Sequence, residues 1–308
     1  MMSNLTIENV YTRHKAKELT KQYFWKLLAM SAISLGIPYA LSLGGTALLS
    51  VLAAEESAFF IVGSLLLVLV VTLLASGLML GLLNAMIRLC RSDAPVSVNT
   101  VFSRMGLCLK GFGQSLWVGL KTFLWALPVY VPLFFVTGAI LVAGDPHTMQ
   151  ASESTQAILM ILPFIALITT FALVIPAAFR YMMAPYLLAD KPDTGVFESV
   201  RQSKAMMKGH KWQAFKLVVP LLLIMYAMLF IIIVIMGAAT TLLASTAAAA
   251  TVLSIVTMVL MLVAVVYYQI RMYLCYVLFY LKRTFEQAPA EEAKADPVTE
   301  TDEEASAE

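Results

Sequence analysis

Residues that could take part in chemistry are few in this sequence, and they are spread along the chain. Its three histidines are His14, His147 and His210, and none of its three cysteines lies in a CxxC motif. Imidazoles and thiols that share a site can bind a metal or act as base and nucleophile. No HExxH motif, phosphate-binding loop or nucleophile elbow is present. The sequence therefore predicts no catalytic residue, no metal ligand and no cofactor.

The clearest chemical feature is the basic stretch MMKGHKW at residues 206–212, in a chain that is 60% hydrophobic and only 13% charged. Cationic side chains attract anionic lipid headgroups, and tryptophan is enriched at the membrane interface. We therefore predict a surface that contacts lipid headgroups, formed by Arg201, Lys204, Lys208, His210, Lys211 and Trp212. The predicted turn and cap residues around it are Asp190, Pro192 and Gly209.

The composition predicts which structural elements position this stretch. A soluble domain is about 45–50% apolar and about 25% charged, so much of this chain must have lipid as its solvent. A helix needs roughly 20 apolar residues to cross a bilayer. Runs of this kind predict an all-α membrane bundle with six transmembrane helices, at 27–53, 58–87, 122–143, 156–179, 217–244 and 248–270.

The positive charges are sorted along the chain. All 21 Lys and Arg lie in the N-terminal segment, the second-to-third connection, the fourth-to-fifth connection or the C-terminal segment. The other three connections contain only acidic charges. With six spans, the four basic segments fall on one side, and the positive-inside rule makes that side cytoplasmic. We expect both termini to be cytoplasmic.

The two long basic connections each predict an amphipathic helix lying in the membrane interface, at about 96–110 and 194–208. In the second helix, Val196, Val200 and Met207 are expected to enter the interface, while the basic residues face the headgroups. Asp193 or Thr194 is expected to cap its start. An ordinary basic linker that obeys the topology rule remains an alternative.

Two further patterns concern packing. The stretch VNTVFSRMGLCLKG resembles the second basic connection at a separation of 98 positions, and both end in Lys-Gly, at Lys110–Gly111 and Lys208–Gly209. This suggests a repeated plan of span, surface helix, Lys-Gly and span. Gly77 and Gly81 form a GxxxG spacing, which permits close helix packing or occurs by chance in a membrane helix.

The ends of the chain differ from its middle. Residues 1–26 read as a basic amphipathic segment, and residues 27–283 contain the six spans. Residues 284–308 are rich in Asp and Glu and have almost no large aliphatic side chains. Such a composition cannot bury enough apolar surface to fold, so we predict a disordered acidic tail.

The segment YMMAPYLLADKPDTGVFESVRQSKAMMKGHKWQAFKL, residues 181–217, resembles a bacterial integral-membrane family known only as domain of unknown function 975. The positions that match its signature are Pro176, Tyr181, Tyr186, Asp190, Pro192, Ser203, Met207, Lys208, Gly209, His210, Lys211 and Phe215. The basic lead-in HKAKELTKQYFWKLLAM is also similar. The resemblance implies a multi-pass membrane protein and no particular activity.

These observations favour a non-enzymatic protein of the bacterial cytoplasmic membrane. Its basic inner face would bind anionic phospholipids or partner proteins, in a role such as envelope homeostasis. The alternative is a carrier or channel subunit for an uncharged or amphipathic solute, since the spans contain no Asp, Glu, Lys, Arg or His. A homo-oligomer or a membrane-protein partner fits either hypothesis, and nothing indicates nucleic acid.

Overall fold

The computed structural model describes residues 2–52, 57–92, 96–143, 153–243 and 247–295. These residues form helices and no strand. In chain order they are α1 (Met2–Gln22), α2 (Phe24–Leu52), α3 (Ala58–Ser92), a 3-10 helix (Val98–Leu107), α4 (Cys108–Ala143), α5 (Glu153–Tyr181), α6 (Ala184–Asp190), α7 (Val196–Met206), α8 (Lys211–Leu243) and α9 (Ala247–Ala295).

Within these residues, six helical segments are long and apolar enough to cross a membrane. The predicted spans correspond, in order, to α2, α3, α4, α5, α8 and α9. All six prolines of the predicted spans lie inside these continuous helices, so none of them breaks its helix. The expected six-span, all-α bundle is confirmed, and the protein is a multi-pass membrane protein.

The spanning helices pair as three hairpins, α2–α3, α4–α5 and α8–α9. Along much of their length these helices leave large apolar side chains without protein contacts. Leu65 is 66% exposed, Phe134 is 75% exposed and Phe230 is 67% exposed. Water would oppose so much exposed apolar surface. The side chains that lack protein neighbours therefore face hydrocarbon.

The buried core lies at one end of the bundle. Its side chains come mainly from residues 78–90 of α3, 183–189 around α6, 214–221 of α8 and 270–281 of α9. The helix α1, the 3-10 helix, α7 and the last part of α9 pack around the same end. Because these elements and the core segments that they surround together contain most of the Lys and Arg residues, we call it the basic end.

The first predicted surface helix, 96–110, differs from expectation. Residues 98–107 form a 3-10 helix that leads directly into α4, and its Val101 is completely buried against α3. A Cβ atom added at Gly81 would overlap the Val101 carbonyl, which explains why glycine is needed there. The GxxxG spacing therefore does permit close packing, but its partner is the 3-10 helix.

The proposed repeat is not reproduced in backbone conformation. Gly111 lies inside α4, whereas Gly209 lies in a turn between α7 and α8 and has a φ of +83°. Lys110–Gly111 therefore lies within a continuous helix, whereas Lys208–Gly209 lies in the turn that follows α7.

The C-terminal boundary also needs correction. α9 continues to Ala295, so residues 284–295 are helical where the composition predicted disorder. Thr284 donates a hydrogen bond to the Tyr280 carbonyl, and Glu286 pairs with Lys282 and Arg283 on the same helix. These local contacts extend the helix beyond the apolar run. The rest of the predicted tail, 296–308, lies outside the described residues.

Candidate functional site

The helix α7 supports the predicted basic surface, and it is fixed to the protein by two serines one turn apart. Ser199 Oγ accepts a hydrogen bond of 2.6 Å from Gln114 Nε2 of α4. Ser203 Oγ accepts one of 3.2 Å from the Met183 backbone N–H and donates one of 3.0 Å to the Arg180 carbonyl. These last two groups flank the break between α5 and α6, so Ser203 replaces helical hydrogen bonds that the break removes.

The apolar face of α7 is covered by protein. Val200 is 1% exposed and Met207 is 0% exposed. The prediction that these two side chains enter the lipid interface is therefore wrong, because α7 turns that face toward α4, α5 and α6. A helix is present at Val196–Met206, but these apolar side chains pack against the protein and not against lipid.

The two ends of α7 can be compared with the predicted cap residues. Its N-cap residue is Gly195, and no side chain makes a capping hydrogen bond there, so neither Asp193 nor Thr194 is the cap. At the other end, the predicted Gly209 does adopt the left-handed conformation, with a φ of +83°. A residue with a Cβ pays a steric penalty at this φ, so glycine allows the sharp turn from α7 into α8.

With its apolar face packed, α7 directs its basic residues outward. Arg201, Lys204 and Lys208 are exposed, and Lys211 at the start of α8 is half-buried. Arg201 pairs with Glu198 at 2.8 Å, and hydrogen bonds from Gln202 and Arg201 lower the pKa of that carboxyl. Lys204, Lys208 and Lys211 belong to none of the ion pairs formed by the described residues.

His210 and Trp212 complete the predicted surface. Burial lowers the pKa of His210 below the ordinary histidine value, the Arg283 guanidinium lowers it further, and Glu286 acts in the opposite direction. His210 is therefore neutral at pH 7 and adds no charge. Trp212 is 62% exposed and stacks on Phe215, with ring centroids 5.1 Å apart and an interplanar angle of 9°. This stacking holds an exposed indole beside the lysines.

Asp190 has a larger role than the predicted turn. It ends α6, and its Oδ2 accepts hydrogen bonds of 2.9 Å from both Arg91 Nη2 of α3 and the Tyr280 hydroxyl of α9. Its side chain is only 11% exposed. One carboxylate thus joins three helices at the basic end, and Tyr280 itself is fully buried.

Pro192 lies in the predicted turn after α6, and its carbonyl accepts a hydrogen bond of 2.9 Å from Lys110 Nζ. This contact joins the two basic connections, whose similarity the sequence had suggested. Lys110 and the Asp190 partners Arg91 and Tyr280 were not predicted as site residues. They lie far from the predicted surface in the sequence, so no local pattern indicates that they contribute to it.

A second unpredicted cluster joins the start of α8 to α1 and α9. Gln213 is hydrogen bonded to Arg283, and its amide also donates to Glu8 Oε1 at 3.3 Å. Glu8 in turn pairs with Lys282. These contacts attach Gln213, the residue that follows Trp212, to α1 and α9, so the start of α8 is held beside both helices.

The described residues that could act on a substrate are not brought together. His14 pairs with Glu18 on α1 at 3.4 Å, whereas His210 lies between α7 and α8. His147 lies outside the described residues. What the arrangement offers chemically is a set of fixed cations with an indole beside them, which is suited to binding an anion at a membrane surface.

Comparison with curated proteins finds no match, and comparison with solved structures finds none either. A family match covers residues 8–239, which run from within α1 to within α8 and include α7 and the Gly209 turn. That share is well over half of the chain and contains every residue of the predicted surface. The chain therefore belongs to the family described as "Protein of unknown function (DUF975)".

Proposed function

We propose that this protein lies in a bacterial cytoplasmic membrane and binds anionic phospholipid headgroups through Arg201, Lys204, Lys208 and Lys211, as a non-enzymatic component of envelope homeostasis. In this proposal the basic end faces the cytoplasm. Both α1 and the last part of α9 lie at that end, so both termini would be cytoplasmic.

The observation that supports the proposal most is the way α7 is held. Its apolar face and its two serines are used by the protein, so its orientation does not depend on the lipid. Lys204 and Lys208 remain exposed and without a described acidic partner. A basic residue near an anionic leaflet contributes about 1 kcal/mol of attraction, so a fixed group of such residues favours anionic over zwitterionic lipid.

The test is lipid retention by a variant in which Arg201, Lys204, Lys208 and Lys211 are all replaced by Gln. Native mass spectrometry after purification should show much less phosphatidylglycerol on this variant than on the wild type. A matched variant exchanges Lys and Arg at the same four positions (R201K, K204R, K208R, K211R) and should behave as the wild type. Equal retention by the Gln variant would refute the proposal.

The proposed orientation has its own test. Reporter fusions after Glu56 and Glu153 should give an external signal, and fusions after Arg91, Lys191 and Glu308 should give a cytoplasmic signal. The reason is that a cytoplasmic excess of Lys and Arg determines how the spans insert. A reversed signal at any of these sites would contradict the proposed orientation.

A further inference from the structure

An apolar groove lies between α5 and α8 beside the basic surface. Its cavity has a volume of about 370 Å³, and its walls include Phe171, Ala172, Ile175, Pro176, Trp212 and Phe215. This volume lies in the roughly 300–1,000 Å³ range of ligand pockets. Phe171 is 53% exposed, so the groove opens sideways from two membrane-spanning helices. Its occupant must therefore come from the bilayer.

One end of this groove is positively charged. Lys211, the first residue of α8, belongs to its lining. Arg180 directly follows Phe179, another lining residue. Lys204 directly follows Ser203, whose hydroxyl donates to the Arg180 carbonyl. Burial, and then the charges of Arg180 and Lys204, lower the pKa of Lys211. Neither lysine is in an ion pair within the described part of the chain, and Arg180 stacks on Trp125 at 4.8 Å. An anion placed among the three cations would relieve their mutual repulsion.

Ring contacts hold the walls near the charged end. Trp212 stacks on Phe215, and Lys216 lies over the Trp212 ring at 5.4 Å from its centroid. The Arg180 carbonyl is fixed by Ser203. An amphipathic ring at the mouth of an apolar groove suits a ligand that has an apolar chain and a polar head.

We infer that the groove between α5 and α8 holds an acyl chain of one anionic phospholipid, with its phosphate among Arg180, Lys204 and Lys211. The acyl chain lies along Phe171 and Ile175, and Trp212 flanks the position where the chain joins the headgroup. A soluble anion would leave the apolar walls unused, and a zwitterionic lipid would bring a fourth cation to a site that already has three. This inference rests on the proposed anionic-lipid function and adds a discrete site to it.

The first experiment uses a substitution that fills the groove without changing its charge. Native mass spectrometry is run on protein equilibrated with equal amounts of phosphatidylglycerol and phosphatidylcholine. The wild type should retain one phosphatidylglycerol in preference. Ala172→Trp should lower that retention to the level of phosphatidylcholine. Ala40→Trp, a control at an exposed position on α2, should retain it as the wild type does.

A second variant removes charge from the groove and leaves its volume open. Lys211→Gln should lower phosphatidylglycerol retention about fivefold, as expected for the loss of one headgroup charge. Ile175→Phe fills the groove at another wall and replaces Ala172→Trp if that variant does not fold. Folding is checked for every variant by circular dichroism before lipid is measured.

The outcomes separate the two proposals. If the groove-filling variants retain phosphatidylglycerol while the variant with four Gln substitutions loses it, the groove site is refuted and the proposed function stands. If none of the variants changes retention, both are refuted. Loss of phosphatidylglycerol from Ala172→Trp and from Lys211→Gln, but not from Ala40→Trp, supports the site.

Discussion

The Ser203 hydroxyl accepts a hydrogen bond of 3.2 Å from the Met183 backbone N–H, across 20 residues of sequence. The same oxygen donates to the Arg180 carbonyl at 3.0 Å. One side chain thus satisfies a donor and an acceptor freed where α5 ends and α6 begins. This joint fixes the orientation of α7 and of its basic residues, Arg201 and Lys204, so the basic surface depends on a buried serine.

Replacing Ser203 by Ala should destabilise the protein by about 1–3 kcal/mol, because a buried backbone donor and acceptor lose their partner. Thermal unfolding in detergent, followed by circular dichroism, measures the change. Ser50→Ala is the matched control, since the Ser50 hydroxyl is exposed and donates to the Ala47 carbonyl of its own helix. An equal effect of the two substitutions would show that Ser203 does not support the joint.

The three-helix contact at Asp190 makes a separate prediction. Tyr280→Phe should cost about 1 kcal/mol, the value of one hydrogen bond. Asp190→Asn should cost about 1–3 kcal/mol, because it also removes the ionic partner of the half-exposed Arg91. If both residues act through one contact, the double variant should be less unstable than the sum of the single ones. Strictly additive losses would contradict the shared contact.

Gly81 provides a test of the close packing in α3. Gly81→Ala should destabilise the protein by about 1–3 kcal/mol, because the new methyl group meets the Val101 backbone carbonyl. Gly44→Ala in α2 meets nothing within 4 Å and should be neutral or stabilising, since alanine favours helix by about 1 kcal/mol. Similar thermal unfolding of the two variants would exclude the close approach.

His210 should make stability depend on pH. Its folded-state pKa is lowered, mainly by burial, so the unfolded chain binds a proton first as the pH falls through about 6.5. Stability should therefore decline below that pH and level off once the folded state is also protonated. In His210→Gln this part of the decline should be absent. Identical pH profiles of the melting temperature in the two proteins would contradict this assignment.

The helices of this fold could be predicted because their signal is local. Long charge-free runs identify the six spans in order, although α4 begins at Cys108 and α9 continues to Ala295, well beyond the predicted 122–143 and 248–270. The Gly209 turn was predicted for the same reason, since only the neighbouring residues decide it. Spacing alone does not show what an apolar face touches. That is why Val200 and Met207 were assigned to lipid when they are buried in protein.

Contacts between distant segments gave no such signal. Arg91 and Asp190 are 99 residues apart, and each reads in sequence as an ordinary charge beside a membrane span. The partner of Gly81 was equally hidden, because a GxxxG spacing does not say whether a span or a 3-10 helix packs on it. The α5–α8 groove is a product of this same tertiary packing.

The most direct measurement of the central claim is the affinity of spin-labelled lipids for the reconstituted protein. Electron paramagnetic resonance compares the immobilised fractions of labelled phosphatidylglycerol and phosphatidylcholine at low and high salt. Phosphatidylglycerol should be immobilised more, and its advantage should shrink as the Debye length falls from about 10 Å at 0.1 M salt to about 3 Å at 1 M. In the variant with Gln at positions 201, 204, 208 and 211 most of the advantage should be lost. Equal immobilisation of the two lipids by the wild-type protein at low salt would contradict the account.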